Sequence, residues 1–244
     1  MRRFLLSLSA VALVAGFVAV PKASAQQSIN FFVGGFVPRS LDGRGEDDIL
    51  FANGVHLNTL NTNRGIDIGE FKGAIVGGGW TVGLTDLFDA GIDVGFYQRA
   101  VPTIYTNFEN KATGGDIAQE LKLRIVPVTA TIRFLPLGHH GPARPYIGGG
   151  VGIFSWRYSE VGEFLDDNNK IFRGDFVVKG TNAGPVILGG VVIPIGAASI
   201  GGEIRYQSAK GKLPTDQGFG LGATNNPTVD LGGMNYLLTI GFRF

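Results

Sequence analysis

The last nine residues of the chain alternate between apolar side chains and small or mixed ones. One parity is wholly apolar and consists of Tyr236, Leu238, Ile240, Phe242 and Phe244. The other parity consists of Leu237, Thr239, Gly241 and Arg243. Successive side chains of a β-strand point to opposite faces, so this segment is predicted to be a strand with one fully apolar face. Because that face ends in two bulky aromatics and the other carries Arg243, the pattern favours lipid outside and a polar lumen inside.

The same alternation recurs in residues 79–84, 88–97, 126–134 and 200–207. The more polar parity of these segments carries Asp93, Arg133, Glu203 and Arg205. We expect these four residues and Arg243 to face a narrow lumen and to form a polar network. An unpaired buried charge is costly, so the carboxylates are expected to have basic partners. A soluble barrel with an apolar interior is the alternative interpretation of the same alternation.

Counting the segments of strand character predicts eight crossings. They fall at about residues 28–37, 66–84, 88–99, 118–135, 145–158, 181–195, 199–207 and 231–244. Short or Pro/Gly-marked turns are expected at 85–87, 135–145 and 196–198, and long polar loops at 38–63, 100–117, 159–180 and 208–230. Outer-membrane barrels combine short periplasmic turns with long external loops. The predicted fold is therefore all-β, a closed antiparallel transmembrane up-and-down barrel. Ten strands are the alternative if residues 47–60 form a hairpin.

Two features do not fit a simple alternation. Leu121, Leu123 and Ile125 have the parity opposite to that of Val126 and Val128. A β-bulge near residue 127 would produce such a change of phase. Residues 29–37 and 186–195 are apolar on both parities, so the alternation does not assign their faces.

The N-terminal segment has the pattern of a cleaved signal peptide. Arg2 and Arg3 precede an apolar run at residues 4–20, and Ala23-Ser24-Ala25 supplies small residues at a cleavage site. Residues 1–25 are therefore expected to be removed, which leaves residues 26–244 as the barrel domain. A retained membrane anchor is the alternative. The rest of the chain holds no apolar run long enough for a transmembrane helix.

Composition narrows the function classes. The chain has no cysteine, so it can form neither a disulfide framework nor a thiolate metal site. Its formal net charge of +1 gives no electrostatic footprint for nucleic acid. Glycine makes up 39 of the 244 residues. That is about twice the usual ~7% and suits a β-rich wall.

Candidate catalytic chemistry is sparse. A lipid-modifying hydrolase or acyltransferase needs a nucleophile near a base, and the three histidines are His56 in the first long loop and His139 and His140 in a turn. The acidic stretches at residues 45–48 and 166–169 lack the spacing of a calcium loop and are predicted to be solvated loop tips. We therefore expect no catalytic, cofactor-binding or metal-binding residues. The enzyme and a soluble periplasmic ligand-binding barrel are kept as alternatives.

The alternating strands, the Arg144–Gly152 run (RPYIGGGVG) and the aromatic terminal strand resemble small outer-membrane β-barrel domain proteins. This class includes the membrane domain of outer membrane protein A and outer membrane proteins X and W. The resemblance implies a monomer in the cell outer membrane, in contact with its lipids and lipopolysaccharide. It also implies insertion by the barrel-assembly machinery, with the terminal strand from Tyr236 to Phe244 as the assembly signal. It carries over no catalytic residues, so the expected role is structural, surface-interacting or that of a narrow conduit.

Overall fold

The computed structural model describes residues 26–60, 65–110, 114–166, 168–214 and 227–244. The predicted signal peptide lies outside these ranges. The described strands are β1 (Gln27–Pro38), β2 (Leu57–Thr59), β3 (Gly73–Gly83), β4 (Phe88–Asn110), β5 (Gly115–Phe134), β6 (Arg144–Leu165), β7 (Ile171–Ile195), β8 (Ala198–Gln207), β9 (Lys210–Lys212), β10 (Thr228–Asp230) and β11 (Gly233–Arg243). The described helices are α1 (Ile49–Asn53) and two 3-10 helices, Leu41–Gly43 and Ile68–Phe71. No helix within these ranges combines the length and the apolar character needed to cross a membrane.

Eight strands close into a ring. The order around it is β1, β3, β4, β5, β6, β7, β8 and β11, and every pair of neighbours is antiparallel. Pairing of β1 with β11 closes the ring, with Phe31 opposite Ile240. The predicted closed eight-stranded up-and-down barrel is confirmed. Gln27 and Phe244 are hydrogen-bonded at one end, called here the terminal end, and the opposite end is called the loop end.

The first long loop contains local structure but no crossing hairpin, so the ten-strand alternative is wrong. Residues 49–53 form α1, because the Asp48 carboxylate accepts hydrogen bonds from the Leu50 and Phe51 amides and caps the helix. β2 then pairs with β4. The predicted strand at 66–84 begins later, at Gly73, because the preceding residues form a 3-10 helix capped by Asp67.

The wall is taller on one side than the alternation predicted. Pairing of β6 with β7 runs from Arg144 opposite Val192 to Leu165 opposite Ile171. β4 and β5 likewise continue through most of residues 100–117. The predicted long loops at 100–117 and 159–180 are therefore mostly strand. They lacked the signature of a lipid-facing strand because their outward side chains are largely polar.

The structure of β5 shows why the apolar residues before and after Pro127 have opposite parity. Its burial alternates without interruption, and its pairing with β6 keeps one register from Gln119 to Phe134, so the predicted bulge is wrong. Instead the chemistry of both faces inverts along the strand. Near the terminal end Thr129, Thr131 and Arg133 point inward, while near the loop end Leu121, Leu123 and Ile125 do.

The outer face inverts at the same level. Val128 and Ile132 are exposed near the terminal end, whereas Glu120, Lys122 and Arg124 face outward near the loop end. Half of the strand is thus built for an apolar surrounding, and the other half for water.

The two strands without assigned faces follow the same scheme. In β1, Phe32 and Phe36 point inward, while Ile29, Phe31 and Val33 are exposed. In β7, Val186 and Leu188 are buried, and Ile187, Val191, Ile193 and Ile195 face outward. Residues at these inward positions pack against the apolar core at the loop end or line the lumen below it.

The glycines of the RPYIGGGVG run allow β6 to approach β5 closely. A Cβ at Gly150 would lie 1.9 Å from the carbonyl oxygen of Ala130, and one at Gly148 would lie 2.4 Å from that of Ile132. Side chains at these two positions would displace the neighbouring strand. The run is therefore part of the barrel wall, in agreement with its assignment to a strand.

The loop end is filled by an apolar core. The segment between β1 and β3 folds inward, and its described residues contribute Ile49, Leu50, Leu57, Ile66, Ile68 and Phe71. These pack with wall residues such as Tyr97, Leu121, Phe154 and Tyr158. We call the described residues between β1 and β3 the plug. Such burial of large side chains contributes roughly 1.5–3 kcal/mol for each one that is fully buried, so the plug is a packed part of the fold.

Candidate functional site

Four of the predicted lumen residues meet inside the barrel. Asp93 comes from β4, Arg133 from β5, and Glu203 and Arg205 from β8, and all four are buried. β4 and β8 are separated by three strands on either side of the ring, so they face each other across its full diameter. The cluster therefore joins opposite walls.

Arg205 is the centre of this cluster. Its Nη2 lies 2.9 Å from Asp93 Oδ2 and 2.6 Å from Glu203 Oε1. Its Nε donates to Glu203 Oε1 at 2.8 Å, and its Nη1 donates to Thr129 Oγ1 at 3.2 Å. Arg133 Nη2 approaches the same two carboxylates at 3.4 and 3.5 Å. Two cations thus compensate two anions, so the cluster carries no net charge.

Tyr146 is a member of the cluster that the sequence reasoning did not single out. Its hydroxyl donates to Glu203 Oε2 at 2.8 Å, and the Arg133 guanidinium lies 5.2 Å from its ring centre. A signal was available, because Tyr146 shares its parity with Gly148 and alternates with the apolar Ile147. The quoted RPYIGGGVG run therefore contributes a lumen side chain as well as close packing.

The fifth predicted lumen residue, Arg243, stays apart from this cluster. It lies at the terminal end, where its guanidinium donates to the Gly196 carbonyl. Between the cluster and the plug, Asn235 donates to the Gln207 side chain at 3.1 Å. The lumen is therefore crossed by polar side chains at more than one level.

The acidic stretch at 45–48 is not a solvated loop tip, as the sequence predicted. The Asp48 side chain is fully buried, pairs with Arg44 at 3.0 Å and accepts the Asp230 amide at 2.7 Å. Burial raises the pKa of Asp48, while the Arg44 charge acts in the opposite direction. The spacing of Arg44 and Asp48 by four residues was the available signal. In the second stretch, Asp166 caps a turn by accepting the Asn168 and Lys170 amides, and residue 167 lies outside the described ranges.

A second buried carboxylate attaches the plug to the wall. Glu160 of β6 accepts hydrogen bonds from Asn53 at the end of α1, at 2.7 Å, and from the Tyr158 hydroxyl, at 2.8 Å. Burial raises the pKa of Glu160, and these two hydrogen bonds only partly oppose that effect. The plug is thus held by polar contacts as well as by apolar packing.

The histidines do not form a nucleophile–base pair within the described residues. His56 is exposed in the first loop. His139 Nε2 lies 3.1 Å from Asp89 Oδ1, and His140 is a mostly exposed side chain near Asp86. His139 is therefore not a free turn residue, because it reaches back to the terminal end of the lumen.

The outer surface carries an apolar belt. Its exposed aliphatic residues include Ile29, Val33, Val76, Ile92, Val94, Val128, Ile132, Ile147, Val151, Ile153, Ile187, Val191, Ile193, Ile200, Ile204, Leu238 and Ile240. Exposed aromatics flank it, with Trp80, Phe88, Phe242 and Phe244 toward the terminal end and Phe96 and Tyr236 toward the loop end. A continuous aliphatic surface with aromatic borders is the pattern of a lipid-facing barrel wall. The terminal-strand residues from Tyr236 to Phe244 with apolar parity all belong to this belt.

Three basic side chains lie on neighbouring strands just beyond the loop-end border of the belt. Arg124 of β5 is directly opposite Arg157 of β6, and Arg157 is directly opposite Lys179 of β7. All three are outward, and in the described part of the chain none makes an ion pair or a side-chain hydrogen bond. Like charges directly opposite on a sheet are destabilising. We call this group the basic row.

The sequence matches no protein-family model and no curated protein. Among solved structures, the outer membrane protein OprG from Pseudomonas aeruginosa matches with a TM-score of 0.52 at 14% identity, over 90% of this chain and 96% of that one. Neisserial surface protein A matches with a TM-score of 0.44 at 13% identity, over 90% and 97%. Outer membrane protein W of E. coli matches with a TM-score of 0.33 at 15% identity, over 89% and 97%. The chain has the fold of small outer-membrane β-barrel proteins.

Proposed function

We propose that this protein is a non-enzymatic, integral outer-membrane β-barrel with a closed interior that acts through its outer surfaces. The inversion along β5 carries this proposal. Val128 and Ile132 face outward where the lumen is polar, and Glu120 and Arg124 face outward where the interior is apolar. A chain folded entirely in water would gain nothing from the exposed aliphatic belt, whereas a bilayer of about 30 Å would cover it. Both termini and the short turns would then be periplasmic, and the tall strands and the plug external.

The closed interior argues against a wide conduit. Eight strands leave room only for side chains, and aqueous channels require about 16. The charged cluster around Arg205 spans the lumen, and the plug fills the loop end above it. Of the roles open to such a barrel, the structural and surface-interacting ones fit this interior better than the conduit.

Conductance measurements test the closed interior. Purified protein in planar bilayers is expected to give no stable ohmic channels of porin size, because side chains occupy the lumen at two levels. Insertion should be verified by the shift in gel mobility between heated and unheated samples. Large, long-lived openings from protein with the unheated mobility would contradict the proposal.

The two alternatives are less well supported. A soluble ligand-binding barrel would keep its aliphatic side chains inside, but here Val151, Ile187 and Leu238 are more than 60% exposed. A lipid-modifying enzyme needs a base beside a nucleophile. No hydrogen bond between a histidine and a serine is found in the described ranges.

We further propose that lipopolysaccharide is the lipid partner, held at the basic row. Arg124 lies four residues beyond the belt residue Val128, and Arg157 lies four residues beyond the belt residue Ile153. That is about 13 Å along the strand, which suits the headgroup region above the belt. Phosphates there would relieve the repulsion between the three neighbouring cations. The closed ring has no free edge in the wall, which supports a monomer, and the aromatic terminal strand is the proposed assembly signal.

Removing the basic row should change the response to lipid. In vesicles containing lipopolysaccharide, the variant R124Q/R157Q/K179Q is expected to lose about 1 kcal/mol per charge of lipid-dependent stabilisation. In phosphatidylcholine alone it should be at least as stable as the wild type, because like-charge repulsion is removed. Urea unfolding in both vesicle types provides the measurement. The control variant K170Q/R173Q/K212Q removes three exposed charges elsewhere, and an equal loss in that variant would contradict the assignment.

A further inference from the structure

A polar pocket opens at the terminal end of the lumen, below the charged cluster. Its volume is about 70 Å³, and its lining includes Arg133, Arg144, Arg243, His139 and Asp89. These residues come from β5, from the turn that follows it, and from the ends of β4, β6 and β11 that meet at this side of the ring. The pocket is separate from the basic row, which lies on the outer wall near the loop end.

The pocket concentrates unpaired donors. The Nε groups of Arg133, Arg144 and Arg243 are buried, and within the described residues none has a hydrogen-bond partner. A buried donor without a partner is destabilising, and more so when it is charged. Three such donors beside one open pocket are available to water or to a bound anion.

The charges that line the pocket indicate which sign of charge a bound molecule would carry. Arg133 is compensated by Asp93 and Glu203. Asp89 Oδ1 lies 3.1 Å from His139 Nε2, which carries a charge only when it is protonated, and the Asp89 carboxylate attracts Arg144. Arg144 and Arg243 take part in no described ion pair, and their positive charges repel each other. With neutral His139, the two guanidinium groups and the Asp89 carboxylate leave one uncompensated positive charge.

Neutral groups complete the lining. Hydroxyl and amide side chains of Ser28, Asn30, Thr81, Ser199 and Tyr146 surround the guanidinium groups. They can donate or accept hydrogen bonds without adding charge. Guanidinium groups bind tetrahedral and planar oxyanions through paired N–H donors. An oxyanion with at least one negative charge matches this remaining positive charge, and both guanidinium groups can donate to it.

We propose that this pocket binds inorganic phosphate, or an oxyanion of the same shape and charge, from the periplasmic side. The assignment of the pocket to the periplasmic side depends on the proposed outer-membrane function. The assignment of an anion site depends only on the arginines that line the pocket. Bound phosphate would receive hydrogen bonds from Arg144 and Arg243 and would separate their repelling charges. No bond is made or broken, so the pocket is a binding site and not a reaction centre.

The test uses the mature barrel in octyl glucoside, a detergent without phosphate. Binding of inorganic phosphate is measured by calorimetry and by the rise in thermal unfolding temperature relative to chloride at equal ionic strength. The wild type is expected to bind phosphate in the millimolar range, and R144Q/R243Q to bind at least about tenfold more weakly. K170Q/R173Q, which removes two charges at the other end, should match the wild type. R144Q alone, expected to show an intermediate affinity, covers the case in which the double variant does not fold.

Several results would overturn the site. They are equal phosphate binding in R144Q/R243Q and the wild type, absence of millimolar binding by the folded barrel, or binding of short-chain phosphatidylglycerol without binding of inorganic phosphate. The last result would show that a lipid headgroup is the ligand. A barrel that shows the folded gel mobility but binds no phosphate refutes the site alone. A chain that does not enter membranes refutes the proposed function instead.

Discussion

Arg205→Ala is expected to destabilise the barrel by about 3–5 kcal/mol, among the largest effects of any single substitution in this chain. Arg205 contacts Asp93 and Glu203 at 2.9 and 2.6 Å, so its removal leaves two buried carboxylates that share Arg133 at 3.4 and 3.5 Å. An uncompensated charge at a buried position costs more than the lost contacts alone. Urea unfolding of the protein refolded in vesicles measures the loss.

Two further variants separate charge from packing. In the Arg205→Ala background, Glu203→Gln should restore part of the stability, because it removes a carboxylate that has lost its main partner. Arg173→Ala, which truncates an exposed arginine of β7, should stay within about 0.5 kcal/mol of the wild type. A loss below about 1 kcal/mol for Arg205→Ala would show that water enters the cluster freely.

Val151→Arg is the second substitution with a large expected effect. Val151 is 63% exposed near the middle of the belt, where an arginine on the lipid face costs about 2–4 kcal/mol. Val161 lies on the same face of the same strand, ten residues further toward the loop end. Val161→Arg is therefore expected to change stability by less than about 0.5 kcal/mol.

The comparison of the two valines isolates the surroundings of the wall, since residue type, strand and face are the same. Stability is again measured by urea unfolding in vesicles. Equal costs at both positions would mean that the bilayer does not end between residues 151 and 161. That outcome would contradict the assignment of the tall strands to the external side.

Alternation predicted the wall wherever the outside of the barrel is apolar. Lipid-facing positions exclude polar side chains, so the alternation is clear in β8 and β11. It predicted their approximate bounds, the outward Ile204 and Phe242, and the inward Glu203. Beyond the belt the same rule fails. There the outward residues, such as Glu120 and Arg124, are polar, and the strand has the composition of a loop.

The alternation did not predict the plug either, for a different reason. Leu121, Leu123 and Ile125 point inward on the same parity as Thr129. The assumption of a uniformly polar lumen therefore led to the wrong prediction of a bulge. Their apolar character depends on the apolar core formed with Ile49, Leu50, Leu57, Ile66, Ile68 and Phe71, which are distant in sequence. Long-range packing of this kind leaves no local periodicity. The buried pairing of Arg44 with Asp48 was hidden in the same way, inside what has the composition of a polar loop.

Thiol labelling tests the central claim that this chain crosses the outer membrane with its tall strands outside. The natural chain has no cysteine, so each of Val161→Cys, Val151→Cys and Leu137→Cys carries a single thiol. A membrane-impermeant maleimide applied to intact cells is expected to label Val161→Cys, to leave Val151→Cys unlabelled until the protein is denatured, and to reach Leu137→Cys only after the outer membrane is opened. Labelling of Leu137→Cys in intact cells, or of Val151→Cys as readily as Val161→Cys, would contradict the account.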